Sequence, residues 1–175
     1  MRNTMKATTI ESKFPLLSVE HDCIVSKDAD VTVAFRVSLP ELFTVTSPEY
    51  EAIHSAWAKA VKVLPDYSVV HKQDWFVRET YHPKTDDEEM SFLSRSYERH
   101  FNERPYLNHE CFLYLTKTTK ERMRMQSNFS SLCRGNIIPK DVNKESTVRF
   151  LEAVGQFERI INDSGFIRLT RLATD

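Results

Sequence analysis

Residues 31–39 read Val31-Thr32-Val33-Ala34-Phe35-Arg36-Val37-Ser38-Leu39. Val31, Val33, Phe35, Val37 and Leu39 fall on one side of an extended chain, and Thr32, Ala34, Arg36 and Ser38 on the other, so the stretch predicts a strand with one dry and one wet face. A sheet built from such strands is covered by helices on one side only, which separates an α+β sandwich from a doubly wound fold with two covered faces. Upstream, Cys23-Ile24-Val25-Ser26 reads as its hairpin partner across Lys27-Asp28-Ala29-Asp30, after a polar lead-in. Downstream, Ser47 as N-cap, Pro48 and Glu49 open a helix that runs to Leu64 with Ile53, Trp57, Ala60, Val61 and Leu64 inward. Tyr67–Thr80, rich in valine and aromatic residues, predicts a long strand, with Trp75, like Trp57, in the core.

The second half continues the alternation. Thr85 and Glu88 form a capping box, and the run Asp86-Asp87-Glu88-Glu89 favours the positive end of a helix dipole over a divalent cation site. That helix would place Met90, Leu93, Tyr97 and Phe101 inward and end at Arg104-Pro105. Cys111–Thr116 is the next strand. A helix from the Thr118–Glu121 capping box to Leu132 follows, with Met125, Phe129 and Leu132 inward and Gly135 as its stop. The loop 136–142 leads to a helix over 144–162 with Val148, Leu151, Val154, Phe157 and Ile161 inward. Asn162-Asp163-Ser164-Gly165 is a C-cap with Gly165 at positive φ, and Phe166–Leu172 is a last strand. The expected architecture is one domain over residues 1–175: a two-layer α+β sandwich of a mixed, mainly antiparallel sheet with helices packed on one face.

Composition excludes several functions. The chain of 175 residues has a net charge of -1 and only three glycines, Gly135, Gly155 and Gly165, far below the usual share of about 7%. A phosphate loop needs a glycine five residues before Gly-Lys-Ser/Thr so that backbone N–H groups converge on the phosphates. That register meets Lys140 from Gly135 and Ile160 from Gly155, so neither a P-loop nor a dinucleotide fingerprint is present and no ATP binding is expected. Cys23, Cys111 and Cys133 form no C-x-x-C pair and read as reduced cysteines of a cytosolic protein. The sequence contains no secretion signal and no apolar run long enough to span a membrane.

Two constellations carry possible chemistry. His21-Asp22-Cys23 and His109-Glu110-Cys111 repeat an H-x-C spacing which, on strands, projects both side chains to one face, where two such pairs would make a Cys₂His₂ zinc site. Buried structural cysteines, each with a histidine at a strand entrance, account for the same residues, and no metal ligand is assigned. In residues 117–140, Lys117, Lys120, Arg122, Arg124, Arg134 and Lys140 are opposed only by Glu121, a net of +5 in a nearly neutral chain. Lys117, Lys120, Arg122, Arg124 and Arg134 are therefore the candidate docking surface, for an acidic protein, lipid headgroups or a nucleic-acid backbone, against a merely solvated face.

Longer phrases add a resemblance. Lys6-Ala-Thr-Thr-Ile-Glu-Ser-Lys-Phe-Pro-Leu-Leu, Ile24-Val-Ser-Lys-Asp-Ala-Asp-Val-Thr-Val-Ala-Phe, Val63-Leu-Pro-Asp-Tyr-Ser-Val-Val-His-Lys-Gln-Asp-Trp-Phe, Phe92-Leu-Ser-Arg-Ser-Tyr-Glu-Arg-His-Phe and Phe157-Glu-Arg-Ile-Ile-Asn-Asp-Ser-Gly-Phe-Ile-Arg-Leu resemble the N-terminus of the Bacteroidetes-type conjugative transposon TraG family, across essentially the whole chain. The resemblance implies the amino-terminal part of a larger conjugation ATPase related to the energising ATPases of type IV secretion. Its Walker motifs, with ATP and Mg, would lie beyond Asp175. This part would be a non-catalytic assembly or anchoring domain at the cytoplasmic face of the inner membrane, held there by other secretion components and by self-association of the ATPase. Direct nucleic-acid binding through residues 117–140 is the alternative, and a metal enzyme built on the H-x-C pairs is a third. No catalytic or cofactor residue is carried over.

Overall fold

A computed structural model describes residues 14–81, 91–102, 104–118 and 144–174. Among them run β1 (Leu16–Glu20), β2 (Cys23–Ser26), β3 (Val31–Ser38), a 3₁₀ turn (Leu42–Thr44), α1 (Ser47–Val63), β4 (Ser68–Thr80), α2 (Phe92–Asn102), β5 (Pro105–Lys117), α3 (Lys144–Asp163) and β6 (Arg168–Arg171). The strands form one mostly antiparallel sheet in the order β1-β2-β3-β5-β4, with β6 also on β3, and the fold is α+β. One edge of β3 is shared: Val31 and Thr32 pair with β2, and Phe35–Ser38 pair with β6. Residue contacts divide the chain into two compact units, residues 1–72 with 112–175, and residues 73–111.

The first unit holds the core. Val33, Phe35 and Val37 alternate inward as the strand pattern predicts, beside Leu113 and Leu115 of β5 and Leu169 of β6. Arg36 and Ser38 keep the wet face, whereas Ala34 is buried and Leu39, beyond the strand end, is 39% exposed. The buried face of α3 is Phe150, Ala153, Val154, Phe157 and Ile161, the spacing of a helical stripe. Val148, expected inward, lies on the opposite side of α3 from that stripe and is 47% exposed; Val61 of α1 is exposed likewise. Trp57 of α1 meets Phe157 edge to face, with centroids 5.8 Å apart. Gly165 ends α3 at φ 76°, and the Asn162 side chain ties α3 to β6 by accepting from the Leu169 N–H at 2.7 Å.

Two helix starts differ from expectation. Thr46, not Ser47, caps α1: its N–H and its hydroxyl both donate to the Glu49 carboxylate, at 2.7 and 2.8 Å. Those bonds hold the Glu49 carboxyl below its usual pKa, the backbone bond contributing most. The group therefore supports the first turn of α1 above the ordinary carboxylate pKa, and the support is lost as pH falls through the depressed value. Amide protection in the first turn of α1, measured against the intrinsic exchange rate at each pH, should fall over that range, and Glu49→Gln should remove the response. For α2, the predicted box at Thr85 and Glu88 lies outside the described residues. The described helix starts at Phe92, where Ser91 Oγ accepts from the Ser94 N–H at 3.2 Å.

β1 was not anticipated. It joins β2 through a two-residue turn whose central residues, His21 and Asp22, sit at φ 52° and 59°, the geometry that matches the twist of a tight hairpin. The turn is fastened to the segment after β6, because the Thr174 N–H donates to Asp22 Oδ1 at 2.8 Å.

Candidate interaction surface

The second unit, residues 73–111, contains part of β4, part of β5 and all of α2. The strands cross-brace each other. Glu79 accepts from the Tyr106 hydroxyl and the Asn108 amide, both at 3.1 Å, and its bond to Tyr106 raises that phenol's pKa. His109 Nε2 meets Asp74 Oδ1 at 2.9 Å, and its ring stacks on Phe76 with centroids 4.6 Å apart and planes 12° apart. Later residues of β4 thus face earlier residues of β5, an antiparallel ribbon. Tyr81, past the end of β4, donates its hydroxyl to Glu98 of α2, which raises the tyrosine pKa.

This ribbon and helix bury almost nothing. Among the described residues of the unit, Cys111 is the one buried apolar side chain. Phe92 is 87% exposed, Leu93 78%, Tyr97 63% and Phe76 64%, and Trp75 is 50% exposed. Trp75 and the stripe Leu93, Tyr97, Phe101 were expected in the core. They are surface residues because the spacing puts them on one side of their element but no second apolar layer among the described residues covers that side; Tyr97 and Phe101 pack on each other, with centroids 4.6 Å apart. A sequence signal was present. Trp75-Phe76-Val77 is apolar on both faces of a strand, which calls for cover on both sides.

The candidate zinc pairs are not assembled. His21 lies in the β1–β2 turn and not on a strand, and Cys23 is buried with the Arg171 guanidinium 3.7 Å from its sulfur. His109 is committed to Asp74 and Phe76. Among the described residues no three His, Cys, Asp or Glu side chains are placed to share a metal ion. Of the candidate docking residues, Lys120, Arg122, Arg124 and Arg134 lie outside the described residues. Lys117 ends β5 with its ammonium on the Asp66 carbonyl and 5.4 Å from the centre of the Tyr67 ring, so it latches the start of β4. It borders an open cleft of about 680 Å³, together with the turn 63–67 and Glu145, Ser146, Arg149 and Ala153 of α3.

The family model described as "Domain of unknown function, B. Theta Gene description (DUF3875)" matches residues 3–55. The match takes in β1 to β3 and the start of α1, and stops before the ribbon of residues 73–111. No curated protein matches the chain. Among the described residues no helix is long and apolar enough to cross a membrane.

Proposed function

We propose that this chain is a non-catalytic assembly domain of a TraG-type conjugation ATPase, working as the docking module through which a DNA-transfer motor joins other type IV secretion components at the cytoplasmic face of the inner membrane. ATP and Mg then belong to the motor domain of the longer protein, and this part supplies contacts. The observation that carries the reading is the exposure of Phe92, Leu93, Tyr97, Trp75 and Phe76 within one small unit. Exposed large apolar side chains in such number cost solubility and are retained where a partner covers them. Aromatic residues are also those enriched at the centres of protein interfaces. The quoted sequence phrases point to the conjugation machinery as the source of the partner.

The test is genetic. Leu93→Glu with Tyr97→Glu, introduced into the full-length gene, should lower DNA transfer in a mating assay by about a hundredfold or more, the loss expected when two central anchors of roughly 2 kcal/mol each are removed. The purified chain should keep its melting temperature within a few degrees. Transfer at the wild-type frequency with normal protein levels would reject the assembly role.

A further inference from the structure

We infer that the wet face of the sheet, across β6, β3, β5 and the start of β4, binds single-stranded DNA, with Arg36 and Arg168 on its phosphates and the rings of Tyr114 and His71 on its bases. The inference goes beyond the docking role of residues 73–111 and rests on that reading only in the choice of DNA over RNA. Strand register places the residues. Arg36 pairs with Thr170 and Ser38 with Arg168, so these four side chains share one face of β3 and β6. The opposite face carries Phe35, Val37 and Leu169, all buried in the core. The Thr32 and Thr116 hydroxyls meet at 2.8 Å, which sets Thr116 of β5 on the wet side, and Tyr114 and Phe112 follow from it by the two-residue period. From β4, the His71 ring meets Tyr114 edge to face, with centroids 5.9 Å apart. All of these residues belong to the first unit. Arg36, Ser38, Arg168, Thr170 and His71 are exposed, and Tyr114 and Phe112 are half-buried.

Charge and ring chemistry together select the occupant. The strand segments 31–38, 68–72, 112–117 and 168–171 contain no Asp or Glu and five Lys or Arg, in a chain whose net charge is -1. The field over this sheet is therefore positive, and it favours an anionic partner. Arg36 and Arg168 stand at diagonal positions of paired strands, about 7–8 Å apart, where one phosphate chain can serve both. The rings decide which polyanion. Tyr114 and Phe112 lie two residues apart, roughly 7 Å along β5, and aromatic side chains on an open sheet are platforms for unpaired bases. A lipid headgroup has no base to lay on them, and a duplex keeps its bases stacked on one another. The same four segments contain no Asn or Gln, so apart from arginine they hold none of the side chains that read base edges, and binding should tolerate any sequence.

Fluorescence anisotropy with the whole 175-residue chain and a labelled thymidylate oligomer of about 20 nucleotides tests both halves of the site. Affinity should fall with salt at a slope of about -1.4 in log K against log salt, the value for two arginine contacts to a single strand, and Arg168→Ala should reduce that slope by about 0.7. Tyr114→Leu should weaken binding about tenfold or more with the slope unchanged, whereas Tyr114→Phe, which keeps the ring, should bind like the wild type. His71→Ala, at an exposed position, repeats the ring test without disturbing the core and should also weaken binding with the slope unchanged. An abasic strand of the same length should bind about tenfold less tightly than the thymidylate. Equal binding of the abasic strand would reduce the face to a general polyanion surface and overturn the inference. A wild type that leaves the oligomer free at about 100 µM protein would do the same, as would tighter binding of a uridylate oligomer, or binding that ignores both Arg168→Ala and His71→Ala. The two readings fail separately. A chain that binds no DNA, in a protein whose Leu93 and Tyr97 substitutions still abolish transfer, removes the sheet site and leaves the assembly role. DNA binding that is lost with Arg168 and His71, in a protein whose transfer ignores the Leu93 and Tyr97 substitutions, does the reverse.

Discussion

Phe157→Ala should lower the unfolding free energy by roughly 3–5 kcal/mol, the cost of removing a large aromatic side chain from a closed core and leaving a cavity. Phe157 is fully buried on α3 and takes the edge contact of Trp57 from α1, so its loss unlocks the packing of one helix on the other. Against a typical domain stability of about 5–15 kcal/mol, that is about a fifth of the total or more. Tyr97→Ala is the control, since it removes an aromatic from an equally regular helical stripe. With Tyr97 63% exposed, its substitution should change stability by no more than about 0.5 kcal/mol. Urea denaturation of both variants checks the pair. Equal losses would mean that the stripe of α2 is covered after all.

Leu115→Asp should be more damaging still, and its effect should depend on pH. Leu115 is fully buried on the dry face of β5, where a carboxylate would be stripped of water among apolar neighbours. Removing the leucine costs about 2–5 kcal/mol by itself. Burial then raises the folded-state pKa of the introduced acid above its unfolded value of about 3.9, so the unfolded chain releases the proton more readily. The added destabilisation is absent below the unfolded pKa and grows as pH rises toward the folded one. At neutral pH the variant should be largely unfolded by circular dichroism, with partial recovery near pH 4, whereas Leu115→Ala should show no such recovery. A Leu115→Asp protein whose stability follows the wild-type pH profile would place residue 115 at the surface.

Local signals placed many elements correctly. The alternation of 31–39, the hairpin over 27–30, the proline-led start of α1, the stripe containing Val154, Phe157 and Ile161 and the left-handed Gly165 are all written in short-range chemistry: side-chain period, capping and positive φ. β1 escaped because Leu16-Leu17-Ser18-Val19-Glu20 alternates poorly and most of its side chains are exposed, so its place comes from pairing with β2 and not from its own pattern. His21 escaped for a related reason, since an H-x-C spacing carries no sign that its first residue turns a corner.

The candidate surface was misread at Trp75 and along α2, and the cause is general. Sequence by itself determined which residues share a face: Leu93 with Tyr97 and Phe101, and Trp75 with Val77, just as Val154 with Phe157 and Ile161. Only the tertiary structure decided which of those faces is covered. Periodicity is a property of one segment, whereas burial requires a second segment, brought from far along the chain, to lie against it. Phe157 has Trp57 across from it and is fully buried, whereas Tyr97 meets the ring of Phe101 on its own helix and stays 63% exposed.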